Sequence, residues 1–343
     1  MEIESVPVTI TLFLISVLVI AVAGTRMARI ADRLADATGL GEAFVGALFL
    51  GGSTSLAGIV TSITAAAQNH PELAVSNALG GIAAQTMFLG VADIVYRKAN
   101  LEHAAASVAT LVQATLLVTL LAIPLMAMAG PDISVFSVHP ASLIIPIAYF
   151  FGLRLVSEAQ KMPMWGPRQT DETRVEEVVI DNKSEQSELT RLWLQFALLA
   201  VIVAIAGYSV GTAGVALSVQ TGLSESLVGG LFTALSNSLP ELVTMIAAVR
   251  QGALTLAVGG AIGGNSFDVM LLAFSDFAYR QGSIYHALAA RQVFVVALTI
   301  LMTGILLLGL LRREKHGIGN IGFESVLVLI LYLGGFSLLF FQT

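Results

Sequence analysis

The chain has 343 residues, 56% of them hydrophobic and only 12% charged, with a formal net charge of −6 and a mean hydropathy of +0.85. That composition is a polytopic membrane protein's; it excludes an ordinary soluble domain, and the charge sits mostly in loops, with no basic tract for nucleic acid. There is no cysteine, so disulfides, thiolate metal sites and thiol redox chemistry are excluded, and the five histidines lack metal-ligand spacing.

Taken in order, the chain predicts about ten apolar spans of roughly 20 residues. They fall at 7–27, 43–66, 72–95, 103–128, 141–158, 191–217, 226–249, 254–276, 288–312 and 320–341. Glu2 and Glu4 precede the first span without a basic region, which reads as a retained helix and not a cleaved signal. The one long polar segment, 159–190, divides a first five-helix repeat (1–158) from a second (191–343) and reads as a flexible linker. Arg26, Arg29, Arg33, Arg97, Lys98, Lys161, Arg168, Arg250, Arg312, Arg313 and Lys315 fall on one side if the spans alternate. The positive-inside rule makes that side, with the long loop, cytoplasmic and puts both termini outside; Arg280 and Arg291 fall on the wrong side. Short loops and the absence of a targeting segment favour a prokaryotic inner membrane.

The two halves are related in sequence. Aligned at a fixed offset of 183 residues, 38–97 and 221–280 share about 27 of 60 positions, including Gly80-Gly81 with Gly263-Gly264 and Asp93, Tyr96, Arg97 with Asp276, Tyr279, Arg280. Five spans per half is odd, so the second half enters the membrane from the opposite side. The fold class is therefore all-α, with two inverted-topology five-helix repeats and a site expected near the midplane at their interface.

Two stretches carry oxygen donors at that depth. Ser236-Asn237-Ser238-Leu239-Pro240-Glu241 places a carboxylate beside a helix breaker, with Asn237 and Glu241 on one helical face. Gly263-Gly264-Asn265-Ser266-Phe267-Asp268 places Asn265 and Asp268 on one face after a glycine pair that permits unwinding. Intramembrane carboxylates are expensive and mark function. Glu241, Asp268, Asn237, Ser238 and Asn265 form a hard-oxygen set suited to Ca²⁺ or Na⁺. In the first repeat Gly58 stands opposite Glu241, Ala57 opposite Pro240, Gln85 opposite Asp268 and Ile82 opposite Asn265, leaving neutral donors: Thr54, Ser55, Gln85 and carbonyls near Gly51, Gly52, Gly80 and Gly81.

These stretches, the inverted repeats and the loop position resemble the α-repeats of the sodium/calcium exchanger family, within the cation/calcium exchanger superfamily. The resemblance covers nearly the whole chain; it is specific in the second repeat and degraded in the first. It implies ion-driven antiport of Ca²⁺ against Na⁺ or H⁺ and no enzymatic activity. Its partners are transported cations and the bilayer, with the ions bound transiently and no resident cofactor. Glu241 and Asp268 would be cation ligands, helped by Asn237 and Ser238 and completed by Thr54, Ser55 and Gln85. The departures are Gly58 for the first-repeat glutamate, and Gly81 and Gly264 for serines. With one carboxylate missing, charge counting favours an electroneutral exchange; a monovalent cation/proton exchanger and a non-transporting sensor or assembly member are the alternatives. Inverted repeats argue against a channel.

Other residues have structural expectations. Glu42 and Glu225 match as charges at helix N-termini. Asp93–Arg97 and Asp276–Arg280 have the spacing of helix-end ion pairs. His70 and Glu72 read as solvated loop residues, Arg154 as snorkelling, and Thr61 and Thr244 as groups that serve helix carbonyls or an ion in equal measure.

Overall fold

A computed structural model describes residues 5–38, 43–161, 163–168, 170, 186–317 and 321–341. Among these there is no strand, only one isolated bridge between Val135 and Val138. Glu42 and most of the linker lie outside the described residues.

The helices follow from unbroken apolar windows that can satisfy their backbone groups only internally. The first span comprises α1 (Val6–Val19), a π-helical turn (Ile20–Gly24) and α2 (Thr25–Thr38). Then come α3 (Ala43–Thr54), α4 (Leu56–Ala67), α5 (Pro71–Val95), the short α6 (Leu101–Ala105), α7 (Val108–Ala129) and α8 (Ala141–Lys161). The second half holds α9 (Gln186–Thr221), α10 (Glu225–Leu227), a π-helical stretch (Val228–Thr233), α11 (Ala234–Asn237) and α12 (Leu239–Gln251). It ends with α13 (Leu254–Asp268), α14 (Met270–Ala278), α15 (Ala290–Arg312) and α16 (Phe323–Phe341). Among the described residues eight helices are long and apolar enough to cross a membrane, and the pair 225–237 and 239–251, bent by 46°, makes a ninth. At the matching repeat position α3 and α4, 12 residues each, account for the remaining predicted span. Large apolar side chains of α1, α8, α9, α15 and α16 point outward, as a lipid solvent allows.

Several boundaries differ from the sequence reading. The fourth span starts at Val108, not 103, because Ser107 and Thr110 form a reciprocal capping box there. The sixth starts five residues early, with Glu188 in its first turn.

The repeat is visible in the backbone. α5 and the α13–α14 span begin and end 183 residues apart, at 71 and 254 and at 95 and 278. The breaks fall at matching serines with the same bridge-region dihedrals: Ser55 at φ −82°, ψ 3° and Ser238 at φ −93°, ψ 4°. Pro240 lies in the first turn of α12, where its missing N–H is tolerated, while the carbonyl of Ser236 loses its i+4 donor. The glycine pair at 263–264 does not unwind. It stays helical, and its missing side chains make room for Gln113 and Gln85, which would meet added Cβ atoms at 3.4 Å each.

The halves interlock. Buried α5 packs against α13, α15, α16 and the π-helical stretch, and an added Cβ at Gly80 would lie 2.2 Å from the Gly230 carbonyl oxygen. α9 lies on α4, where Thr61 donates to the Gly207 carbonyl at 2.8 Å. Asp93 and Asp276 are loop caps in place of the expected ion pairs. Asp93 accepts from Leu101 N at 2.7 Å and Gly322 N at 2.9 Å; Asp276 accepts from Ile284 N at 2.8 Å and His139 N at 2.7 Å. Leu101 and Ile284 are repeat mates, as are His139 and Gly322, so each aspartate ties its own half to the other by the same rule.

Asp276 also accepts from Ser142 Oγ at 2.7 Å. Replacing it by Ala leaves the buried Ile284 and His139 amides unpaired, and at about 1–3 kcal/mol for each such donor a clear loss of stability is expected. Thermal unfolding in detergent reads it; an unchanged midpoint removes the cap from the structural account.

Candidate cation site

The two serine breaks meet α5 and α13 at the centre of the molecule. There a cavity of about 20 Å³, room for one water-sized particle, is lined by Ser55, Gly58, Asn77, Gln85, Asn237, Ser238, Glu241 and Asp268 among others. Its lining contains no Lys or Arg. Asp268 accepts a short hydrogen bond from Ser55 Oγ and one of 2.7 Å from Gln85 Nε2. Three more buried oxygens of the lining, Gln85 Oε1, Asn237 Oδ1 and Glu241 Oε2, have no hydrogen-bond partner. Buried acceptors without donors are costly in a folded protein, and a cation among them removes that cost. Among the described residues no three His, Cys, Asp or Glu side chains converge as a metal site, so neutral oxygens must complete any coordination shell.

Six of the eight predicted ligands therefore converge. Thr54 instead lines the adjoining vestibule and donates to its own helix, at 3.1 Å to Leu50 O. Asn265 lies outside the cavity lining: α13 stays helical, so Asn265 sits about one turn before Asp268 along it, where its amide is taken up by Thr86 Oγ1 of α5 at 3.1 Å. Thr244 bonds Pro240 and Glu241 carbonyls within its own helix.

Asn77 is the lining residue that the sequence reading missed. Its amide donates to the Gly58 carbonyl at 3.2 Å and to Ser62 Oγ at 2.9 Å, and its oxygen accepts from Thr233 Oγ1 at 2.8 Å and Asn237 Nδ2 at 2.9 Å. A Cβ at Gly58 would lie 3.9 Å from Asn77 Nδ2, so the amide stands beside the place the first-repeat glutamate would fill. An amide at mid-span was the available signal.

Glu241 also borders a vestibule of about 510 Å³ between α2, α3, α12 and α13, with Arg29, Asp32, Gln113 and Gln251 in its wall. A polar belt lies on the opposite face. His70 Nδ1 lies 2.6 Å from Glu225 Oε1, and Arg291 Nε lies 3.7 Å from Glu72 Oε2, which also accepts from Ser226 at 3.0 Å. Gln292 donates to Ser76 at 2.6 Å and Ser226 at 2.8 Å. His70 and Glu72 are thus half-buried belt members and not solvated loop residues, and the belt gives misplaced Arg291 a partner.

A buried oxygen cage at the junction of two inverted, broken-helix repeats, bordered by a vestibule, defines a secondary transporter of the inverted-repeat class. Residues 8–155 and 191–341 match the family model of the sodium/calcium exchanger proteins. The chain belongs to that family, a family of cation antiporters. It is 25% identical over 309 residues to the inner membrane protein YrbG of Escherichia coli (strain K12), covering 90% of this chain and 91% of that one. It is 30% identical over 128 residues to the putative antiporter CaxA of Alkalimonas amylolytica, covering 37% of this chain and 38% of that one. In structure it is similar to an H⁺/Ca²⁺ exchanger, CAX, with a TM-score of 0.66 at 14% identity over 97% of this chain and 86% of the other. The sodium–calcium exchanger NCX_Mj follows at 0.60 and 16%, over 98% and 100%.

Because the chain lacks cysteine, single cysteines report access cleanly. A membrane-impermeant thiol reagent is expected to label Gly260→Cys in the vestibule and to spare Ala234→Cys in the cavity wall. Adding Glu225→Gln, which weakens the belt, should raise labelling of Ala234→Cys from the belt face several-fold. Unchanged labelling would mean that the belt is not the barrier.

Proposed function

We propose that this antiporter exchanges Ca²⁺ for Na⁺ or H⁺ through the cavity, with Glu241 and Asp268 as the charged ligands. The supporting observation is the cavity itself: two carboxylates and unpartnered neutral oxygens, desolvated together without a basic side chain. Two negative charges balance one Ca²⁺, two Na⁺ or two protons, so each exchange half-cycle leaves the site neutral and the cycle carries no net charge. Ser55, Gln85, Asn237 and Ser238 supply neutral oxygens. Glu241, at the junction of cavity and vestibule, meets the ion first, and Asp268 holds it within.

The vestibule shares its face with Arg29 and Gln251, next to Arg250, and the basic loops make this the cytoplasmic side of a cell membrane, with both termini outside. The structure on this reading is open inward. A second reading, exchange of monovalent cations against protons, draws on Asn77 beside Gly58, since a site with fewer charged ligands binds Ca²⁺ more weakly.

Radiolabelled Ca²⁺ uptake into proteoliposomes under an imposed Na⁺ or H⁺ gradient tests both. Gradient-driven uptake is expected for the wild type and its loss, by a factor of ten or more, for Glu241→Gln. Uptake at a clamped membrane potential of either sign should proceed at the same rate. No Ca²⁺ uptake under either gradient, together with Na⁺ or K⁺ flux that Glu241→Gln abolishes, favours the monovalent reading. Protons compete for the same two carboxylates, so Ca²⁺ binding should weaken as pH falls.

A further inference from the structure

The loop caps differ in one respect that the backbone symmetry does not require. Around Asp276 the neighbours are neutral: Ser142 donates to the aspartate and lies 3.0 Å from the Tyr285 hydroxyl. At the offset of 183, Ser142 corresponds to Ser325, Tyr285 to Glu102 and Ala141 to Glu324. The cap around Asp93 therefore carries two carboxyl groups where its mate carries a phenol and a methyl group.

Glu102, in α6, and Glu324, in the first turn of α16, are each 1% exposed. The Asp93 carboxylate holds both Leu101 N and Gly322 N and so brings the two glutamates together, yet among the described residues no donor reaches any of their four oxygens. Gly309 and Gly322 enclose Glu324 so closely that an added Cβ on either would lie 2.1–2.3 Å from it. The neighbouring basic groups engage elsewhere: His103 Nδ1 is 2.7 Å from Arg313 O, Arg313 Nη2 donates to His103 O at 2.9 Å, and Arg312 pairs with Glu314 at 3.4 Å. Lys315 offers its carbonyl to Asn100 N at 3.0 Å. α13 and α15 also pack on α6, and beyond Arg291, Arg312 and the site residue Asp268 they carry nothing titratable.

Two ionised carboxylates brought together, buried and without donors, repel strongly; one proton shared between them would replace the repulsion by a short O–H···O⁻ bond. We propose that Glu102 and Glu324 form a proton-binding site, separate from the transport cavity, whose single proton fastens α6 to the start of α16. Burial, then the charges of Asp93 and Glu324, push the Glu102 carboxyl well above the usual range. The sign follows. The unfolded glutamate releases its proton near pH 4.3, whereas the folded pair keeps it, so the native state binds the extra proton and stability falls as pH rises above about 4.3.

This site stands whichever cation is carried. Infrared spectra of the purified protein at neutral pH test it. In a background carrying Glu241→Gln and Asp268→Asn, which removes the cavity carboxyls, the protein should show a protonated-carboxyl carbonyl band, shifted in D₂O, that Glu102→Gln and Glu324→Gln each remove. Both variants should also flatten the decline of the thermal midpoint between about pH 5 and 9, whereas loss of a merely structural contact would lower the midpoint equally at every pH. If one variant fails to fold, the other carries the test. A band retained in the folded variant, with a pH slope parallel to that of the wild type, would overturn the assignment.

Discussion

Two carboxylates held inside a membrane protein with no basic side chain to answer them are the constraint on which this structure depends. Desolvation without a basic partner makes the ionised forms of Glu241 and Asp268 costly, and a bound cation or a proton relieves that cost. The local architecture serves that condition. The serine breaks bring loosened backbone to the cavity, Ser55 and Gln85 hold Asp268 in one orientation, and the vestibule borders Glu241.

The backbone obeys a two-fold rule that the side chains break. Matching serines bend matching helices, and matching aspartates cap matching loops. Yet Gly58 faces Glu241 across the pseudo-axis, Gln85 faces Asp268, and Asn77 is the mate of Gly260, whose missing side chain leaves space in the vestibule wall. The belt of His70, Glu72, Glu225 and Arg291 is also one-sided: Ala253, Thr255 and Val108 stand at the mates of His70, Glu72 and Arg291. Symmetric backbone permits two equivalent openings; asymmetric side chains select between them.

Much of this was legible in the residues because a membrane leaves few alternatives. Spans, repeat and the two acidic residues of the cavity follow from apolar windows, a fixed offset and the expense of buried charge. Geometry beyond the helix was less so. The glycine pair at 263–264 predicts unwinding, but tight packing needs glycine too, and here packing prevails. Aspartates at 93 and 276 sit four residues before arginines, and only the tertiary fold reveals the backbone donors from the other half. Asn77 carried a readable signal, an amide among alanines and leucines, but its partner Gly58 reads as an absence. The belt joins residues more than 150 positions apart, beyond any local pattern.

The interlocked caps bear on how the protein is made. Asp93 lies at the end of the third span, and one of its two backbone donors is Gly322, 229 residues later. At roughly 5–20 residues per second, the ribosome needs on the order of ten seconds to a minute to supply that donor. Until then the carboxylate of α5 has only half its cap, and the first half of the chain waits in the bilayer as an unfinished bundle. The residue at the head of α16 is thus the clasp that completes the end of α5.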